Sequence, residues 1–564
     1  MSIHSLIFDL KKVVGEKYVI TDPTKNEMYR TGFRFGTGKA LAVVRPNTLL
    51  EYWETLKLCV AADVIIISQA ANTGMTGGST PYGDDYDRDI VIINTMRIKG
   101  IQTIRNAEQV VCLAGSRLNE LEDLLKQYNR EPHSVLGSSC IGASIIGGIC
   151  NNSGGALIQR GPAYTEMALY AQLDEHGELK LINKLGIELG NTPEEILTNL
   201  QEQNYHPTDV LVDCGHAHDH NYCNHIRDID SDTPARFNAD PHLHYDASGS
   251  AGKLGIFAVR LDTFLAESET ATFYLGTNNT HAFTEIRRHI LANFQNLPIL
   301  GEYIHREAFD IAEVYGKDTY WIIKNLGTQF LPKLFSFKAK VDRLSKKIPF
   351  LPNHLSDKTM QLLSHLIPQH LPVKFREYRD EFEHHLILKM GGKNGIEEAR
   401  KFLSEFFKDT NNGKYFECSP KEAEAAMLHR FSVGSAEVRY RAVHTKEVEE
   451  IVALDVALPR NELDWFQELP DSITDKLVHK IYCGHFLCHV FHRDHLIKKG
   501  CNWKEVEAEM IKILEQRGAK YPAEHNVGHL YEADPELKDF YKKLDPTNSF
   551  NVGIGHTSKK KYWK

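Results

Sequence analysis

The first forty residues carry one short apolar-periodic stretch and then a polar connection containing Thr21-Asp22-Pro23, which predicts a helical segment followed by a loop. Ala40 to Pro46 (Ala-Leu-Ala-Val-Val-Arg-Pro) reads as a strand. Thr48 stands where a helix cap is needed, and the spacing after it predicts a helix to about Ala62. Val64, Ile65, Ile66 and Ile67 form a β-branched run of the length of a buried strand, and Asp89 to Asn94 gives another. Strand, helix, strand, loop and strand within about fifty residues predict an α/β unit.

The loop between the last two strands is unusual. Residues 69–88 read Gln-Ala-Ala-Asn-Thr-Gly-Met-Thr-Gly-Gly-Ser-Thr-Pro-Tyr-Gly-Asp-Asp-Tyr-Asp-Arg. Gly74, Gly77 and Gly78 let the backbone turn with positive φ and approach a ligand closely. Successive N–H groups in such a turn form an anion nest, to which Asn72, Thr73, Thr76, Ser79 and Thr80 add short polar groups. No Lys or Arg falls within 69–87, so a diphosphate here would be held by backbone and hydroxyl dipoles; an ordinary Gly/Ser/Thr connection is the other reading of these residues alone. Gly-x-x-Gly-Gly is neither the dinucleotide fingerprint nor a P-loop, and Gly252-Lys253 is followed by Leu254 rather than Ser or Thr, so ATP hydrolysis has no support. Two more glycine-rich stretches follow, at 136–155 and 248–261, the second running into a strand. Three such turns predict one large, flat cofactor touched from several sides.

Composition narrows the class. At 564 residues, 42% hydrophobic and 25% charged, the chain is long enough for more than one globular domain. A net charge of −9 argues against general nucleic-acid binding. Ten cysteines without a Cys-x-x-Cys pair fit a reducing compartment better than a disulfide framework. Neither a signal peptide nor an 18-residue apolar span is visible, so an intracellular protein with at most peripheral membrane contact is expected. Residues 324–379 depart from the overall charge, with eleven Lys and Arg against three acidic residues, a local +8 interleaved with Phe330, Leu331, Leu334, Phe335, Phe337, Ile348, Phe350, Leu351, Leu362, Leu363, Leu366 and Ile367. A solvated basic face is one reading; the interleaved apolar residues and five prolines favour a membrane-surface segment on anionic phospholipid.

Thr73-Gly74-Met75-Thr76-Gly77-Gly78 resembles the pyrophosphate loop of the FAD-binding domain of the vanillyl-alcohol-oxidase/p-cresol-methylhydroxylase superfamily. Ile145-Ile146-Gly147-Gly148 with Asn152-Ser153-Gly154-Gly155, and Gly252-Lys253-Leu254-Gly255-Ile256, resemble its second and third flavin-contacting stretches. Over nearly its full length the chain resembles the bacterial respiratory, quinone-dependent D-lactate dehydrogenase family, through Glu131-Pro132-His133-Ser134, Arg160 to Met167, Asp232 to Asp240 and Tyr521 to His529. That resemblance implies an α+β fold: a two-part FAD-binding domain (1–262, with a core at about 36–207, and 514–564) around an antiparallel-sheet cap (263–304 and 382–513), with a membrane-binding segment inserted at 305–381. It implies FAD contacts at Ala70, Ala71, Asn72, Thr73, Gly74, Gly78 and Ser79 for the pyrophosphate, and at Gly137, Ser144, Gly154 and Ile256 for the rest. Relatives with covalent flavin often use a His near this loop; residues 69–88 contain neither His nor Cys, so non-covalent FAD is expected. The implied reaction is oxidation of D-lactate, with electrons passing to a membrane quinone at the cytoplasmic side of the bacterial inner membrane. A soluble D-2-hydroxy-acid dehydrogenase and a non-catalytic flavin protein are the alternatives.

Oxidising a 2-hydroxy acid requires a cation for the carboxylate, a base for the hydroxyl proton and a hydride acceptor. Glu524-His525-Asn526-Val527-Gly528 resembles the Glu-His-Gly-Ile-Gly motif of flavin-dependent D-2-hydroxy-acid dehydrogenases, which implies His525 as the base. Arg430 stands where those relatives carry a substrate Arg, with Arg439 and Arg441 as alternatives, and their substrate Lys is missing, Ala453 standing two residues ahead of Asp455. In those relatives two histidines seven residues apart can ligate a metal with the Glu. His485 and His492 have that spacing, but Phe486-Leu487-Cys488-His489-Val490-Phe491 replaces the relatives' Gly-Asp-Gly-Asn turn. A regular strand would then put His485 and His489 on one face and His492 on the other. No metal is assigned on this reading, and His485 is kept as a residue near the substrate. Cys214, His216, His218, His220 and Cys223 have ligand types that suit zinc, but their spacing fits no standard zinc pattern.

Overall fold

The computed structural model describes residues 1–133, 139, 141–345, 348 and 351–564 (backbone only for 329, 332, 333, 335, 336, 339 and 343). The expected flavin contact Gly137 and the basic-segment residues Lys346, Lys347 and Phe350 lie outside the described residues.

Thr48 caps as its position predicts: its hydroxyl accepts from the Glu51 N–H at 3.1 Å, starting the helix Leu49–Ala61. That helix buries Leu49, Tyr52, Trp53, Leu56 and Cys59, the i, i+3, i+4, i+7 stripe of one face. It packs beside a four-stranded sheet ordered Val19–Ile20, Ala42–Val44, Ile90–Asn94, Ile65–Gln69, whose last three strands are parallel. Burial on both faces explains their unbroken Val/Ile runs, each such side chain contributing about 1.5–3 kcal/mol. A six-stranded antiparallel sheet, in which the strand Gly255–Leu265 pairs with Gln109–Leu113 on one side and Ala168–Leu173 on the other, shares the same core. The early stretch also contains a second helix, Pro23–Arg30, capped by Asp22, where a polar connection was expected.

A seven-stranded antiparallel sheet forms the cap, ordered Lys414–Glu417, Thr270–Thr277, His384–Gly391, Leu300–His305, Leu477–His485, Val490–Lys498, Val448–Ala457. Period-two alternation separates two cores: Phe273, Leu275, Tyr303, Leu386 and Leu388 pack on one face, and Tyr274, Ile304 and Ile387 on the other. The second face carries the 24-residue helix Pro420–Val443 and the helix Arg306–Tyr315. Between cap strands the chain also forms the helices Lys317–Leu326, Leu331–Ser345, Leu355–Ser364 and Val373–Glu381, so most of the described basic stretch is helical, with non-helical connections at 351–354 and 365–372. No helix among the described residues is long and apolar enough to cross a membrane.

Candidate flavin and active site

The strand Ile65–Gln69 ends in the glycine loop, and its side chains fix the loop from within. Gln69 donates to the carbonyls of Tyr29 (2.7 Å) and Ser79 (2.8 Å), and Ser79 donates to Asn72, whose amide donates to the Thr31 carbonyl at 2.9 Å. Gly77 has φ +74°, and a Cβ there would lie 2.7 Å from the Phe35 carbonyl oxygen, so the protein itself demands that glycine. Gly74 is different: it is exposed, and a Cβ on it would meet nothing within 4 Å. From Ala71 to Ser79 no backbone N–H donates to a protein acceptor among the described residues. A run of unused donors around a glycine that the protein does not require fits a bound pyrophosphate.

The three glycine stretches, far apart in sequence, meet through the C-terminal segment. The Asn551 amide donates to the carbonyls of Gly78 (2.8 Å) and Ala251 (2.5 Å), joining the first and third. Asn526 donates to the Asn151 side chain at 2.9 Å, joining the second. Thr76 donates to the Asn526 carbonyl at 2.7 Å, His529 donates to the Thr80 carbonyl at 2.9 Å, and Tyr82 stacks on the His529 ring. Ser144 caps the short helix Ile145–Cys150, Gly154 is buried beneath Glu524, and Ile256 lies on the strand Gly255–Leu265. Neither Asn526 nor Asn551 was singled out from the sequence; their signal is weak, since an Asn at a turn is read as turn chemistry.

Beside this seam lies a buried cluster of charge. Glu302 and His485 are cross-strand partners, and the His485 Nδ1–H donates to Glu302 at 2.6 Å while Nε2 lies 3.2 Å from Glu524. Arg236 donates to the other Glu524 oxygen at 2.8 Å. Arg430, from the long cap helix, sits 3.0 Å from Glu302 as an ion pair, without hydrogen-bond alignment. His525 Nδ1 is 3.5 Å from Asp455, which also accepts the Glu524 N–H at 2.7 Å. Burial would push His485 down, but Glu302 and Glu524 outweigh it and hold the imidazole up at about 10. Burial alone would raise Glu524; His485 and Arg236 instead hold it well below the carboxylate range. Asp455 is pushed up to about 6 by burial, against the pull of His525 and with the push of Glu524. His492 is pushed down to about 3 by burial.

The expected separation of the two histidines is wrong, for a local reason. Phe486–Cys488 forms a single 3₁₀ turn and His489 adopts φ +55°, so the chain reverses without the missing glycines. His485 then pairs with Val490, and His492 pairs with Cys483. Paired residues share a face, so His485 and His492 point the same way, and His489 turns aside to the Pro459 carbonyl. One ligand atom from each of His485, His492 and Glu524 lies within 4.8 Å of the others. Of the arginines weighed for the substrate carboxylate, only Arg430 faces this cluster. Arg439 is committed to Asp318 and Asp357, and Arg441 to Glu450. Arg236, Glu302 and Asp455 were not read as site residues, because no local spacing marks a residue that acts from a distant strand or loop.

The comparisons agree with this architecture. Residues 40–173 match the FAD binding domain family, and residues 272–563 match the family described as D-lactate dehydrogenase, membrane binding. A solved p-cresol methylhydroxylase with substrate bound superposes at TM-score 0.59 and 10% identity, covering 98% of this chain and 96% of that one. The fold is therefore that of the vanillyl-alcohol-oxidase/p-cresol-methylhydroxylase flavoproteins. Quinone-dependent D-lactate dehydrogenase of Haemophilus influenzae is 67% identical over 563 residues, covering 100% of both chains. The Escherichia coli protein of that description is 54% identical over 99% of this chain and 97% of its own. The chain belongs to the quinone-dependent D-lactate dehydrogenase family.

Proposed function

We propose that this chain oxidises D-lactate to pyruvate with FAD and passes the electrons to a membrane quinone. The observation that carries the reading is the position of His525: it rests on Asp455, next in sequence to Glu524, in the segment that a Thr76–Asn526 hydrogen bond fastens to the glycine loop, and Arg430 lies within electrostatic reach of the same Glu524. Ala70 to Gly74, Gly78 and Ser79 hold the pyrophosphate, and Ser144, Gly154 and Ile256 line the remainder of the cofactor. The lack of His and Cys in 69–88 supports non-covalent attachment. FAD, when bound, supplies the acceptor for the C2 hydrogen and its electron pair. His525 takes the hydroxyl proton, with Asp455 orienting its Nδ1. Arg430 attracts the carboxylate, and the His485 imidazolium adds positive charge to the same face. The division proposed for the chain is an FAD-binding domain at 1–262 and 514–564 around a cap, with the membrane segment at 305–381.

That segment supports peripheral attachment to the anionic cytoplasmic face of an inner membrane. Phe337, Leu344, Leu362, Leu363 and Leu366 are exposed at 55–80%, amid Lys324, Lys340 and Lys358. The test is anaerobic: yellow protein mixed with D-lactate, without NAD, bleaches, and D-2-hydroxyglutarate bleaches it far more slowly. A colourless protein, or one bleached only by NADH, refutes the proposal. His525→Ala should retain flavin and slow bleaching by about 10²–10⁴-fold, the usual worth of a general base.

A further inference from the structure

We propose that His218, His220 and Asp262 bind a divalent transition-metal ion of the zinc class, which fastens the 211–221 loop to the strand Gly255–Leu265. Each residue offers one ligand atom, and the three atoms lie within 4.8 Å of one another. The site shares no residue with the cluster around His485, and its third ligand comes from a strand more than forty positions downstream, beyond the reach of any local spacing pattern.

The backbone already places the loop. His216 and Glu166 exchange hydrogen bonds at 2.8 and 3.0 Å, and the Asp262 N–H donates to the Ala217 carbonyl at 3.2 Å. Ala217 is buried and anchors the loop. His218 Nδ1 then meets an Asp262 oxygen at 2.5 Å, and His220 Nε2 lies 3.8 Å from that oxygen. The other Asp262 oxygen accepts from Gln109 at 2.8 Å, which orients the carboxylate from behind. Burial would raise Asp262, yet His218 and Gln109 hold it below the usual carboxylate range. Its ion-pair partners among the described residues are both histidines. The His220 ring lies 4.1 Å from that of His218 and 4.3 Å from that of His216, so a third imidazole stands next to the triad.

A second observation points the same way. His133 is buried, neither of its ring nitrogens has a hydrogen-bond partner, and it lies within electrostatic reach of His218 and Asp262. Its two unengaged ring nitrogens are of the atom type that ligates such ions. Zinc bonds of about 2.0–2.2 Å put tetrahedral ligand atoms about 3.3–3.6 Å apart. The His220–Asp262 separation closes by a few tenths of an ångström, and the His218–Asp262 contact opens as the ion replaces the proton they share. Cys214 and Cys223 take no part: their thiols donate to the carbonyls of Leu211 and Gln159.

The test uses full-length protein stripped with a chelator and titrated with Zn²⁺ by calorimetry and with Co²⁺ by visible absorption. The wild type binds one equivalent that His220→Ala and Asp262→Asn weaken at least a hundredfold, with tetrahedral Co²⁺ bands lost in parallel. His220 is half exposed, so its replacement leaves the fold intact. Retention of that equivalent at wild-type affinity by His220→Ala places the ion elsewhere and overturns the proposal. Zinc also slows proteolysis within 211–221 in the wild type and not in His220→Ala. Equal zinc affinity and stoichiometry in the wild type and both variants, or equal protection from proteolysis, overturns the proposal.

Discussion

Two glycines differ in how tightly the protein itself surrounds them, and the proposed flavin site makes that difference testable. Gly154 is packed so that an added Cβ would stand 2.2 Å from a Glu524 oxygen, with Cδ and Cγ at 2.7 and 2.8 Å. Glu524 cannot yield freely, because Arg236 and His485 hold it. Gly154→Ala therefore breaks a buried ion pair, and the apoprotein should lose about 3–5 kcal/mol. At Gly74 the added methyl meets no protein atom, and φ lies outside the left-handed region. Apoprotein stability should change by less than about 1 kcal/mol in Gly74→Ala, with a slight gain from the stiffer unfolded chain. The methyl instead occupies the approach of the pyrophosphate to its nest, an overpacking of about 1–3 kcal/mol, so FAD should bind about 5- to 150-fold more weakly. Denaturant unfolding of apoprotein by circular dichroism and FAD titration by fluorescence quenching measure the two quantities. Wild-type FAD affinity in Gly74→Ala, or equal apoprotein destabilisation in the two variants, refutes the assignment of the loop.

Other outcomes follow from the same geometry. His529 is buried and held down at about 4, so between pH 4 and about 6.5 the native state binds fewer protons than the unfolded chain; its stabilisation is complete above about pH 6.5 and lost as pH falls toward 4, about 3 kcal/mol in all. His529→Asn should flatten that part of an acid unfolding curve and reduce acid release of FAD. Thr76→Val removes the donor to a buried Asn526 carbonyl, and should cost about 1–3 kcal/mol and weaken FAD binding, read by the same titration. Arg430→Met should raise the KM for D-lactate more than it lowers flavin content, as steady-state kinetics with a quinone analogue would show. Phe337→Ser with Leu366→Ser should lower partition onto anionic vesicles while leaving lactate-driven bleaching intact.

The sequence was legible where chemistry is local. Thr48, the Ile65–Ile67 run and the strand after Gly252 announced themselves because cap, strand and turn each depend on a few neighbouring residues. Asp22 capping a second helix was missed because a Thr-Asp-Pro turn and an Asp cap with Pro at the first helical position have the same residues. The His485–His492 pair was misread because face-sharing in a hairpin depends on where the chain reverses, and His489 supplies the left-handed residue that a glycine usually would. The seam formed by Asn526, His529 and Asn551 was invisible for a different reason: its partners lie some 450 residues away.

That seam bears on how the protein is made. Residues 549–551 run alongside Ile66, exchanging backbone hydrogen bonds at 2.9 and 2.8 Å as a short parallel extension of the first sheet's edge. On the ribosome the glycine loop emerges early and then waits for a closing segment 473 residues behind it. Until that segment arrives, the edge at Ile66 offers unpaired N–H and C=O groups to any passing strand. Cofactor loading thus becomes a test of completed synthesis: a chain cut short before Asn526 keeps the loop's sequence but lacks the wall that shapes it, and should leave the ribosome colourless and prone to aggregate.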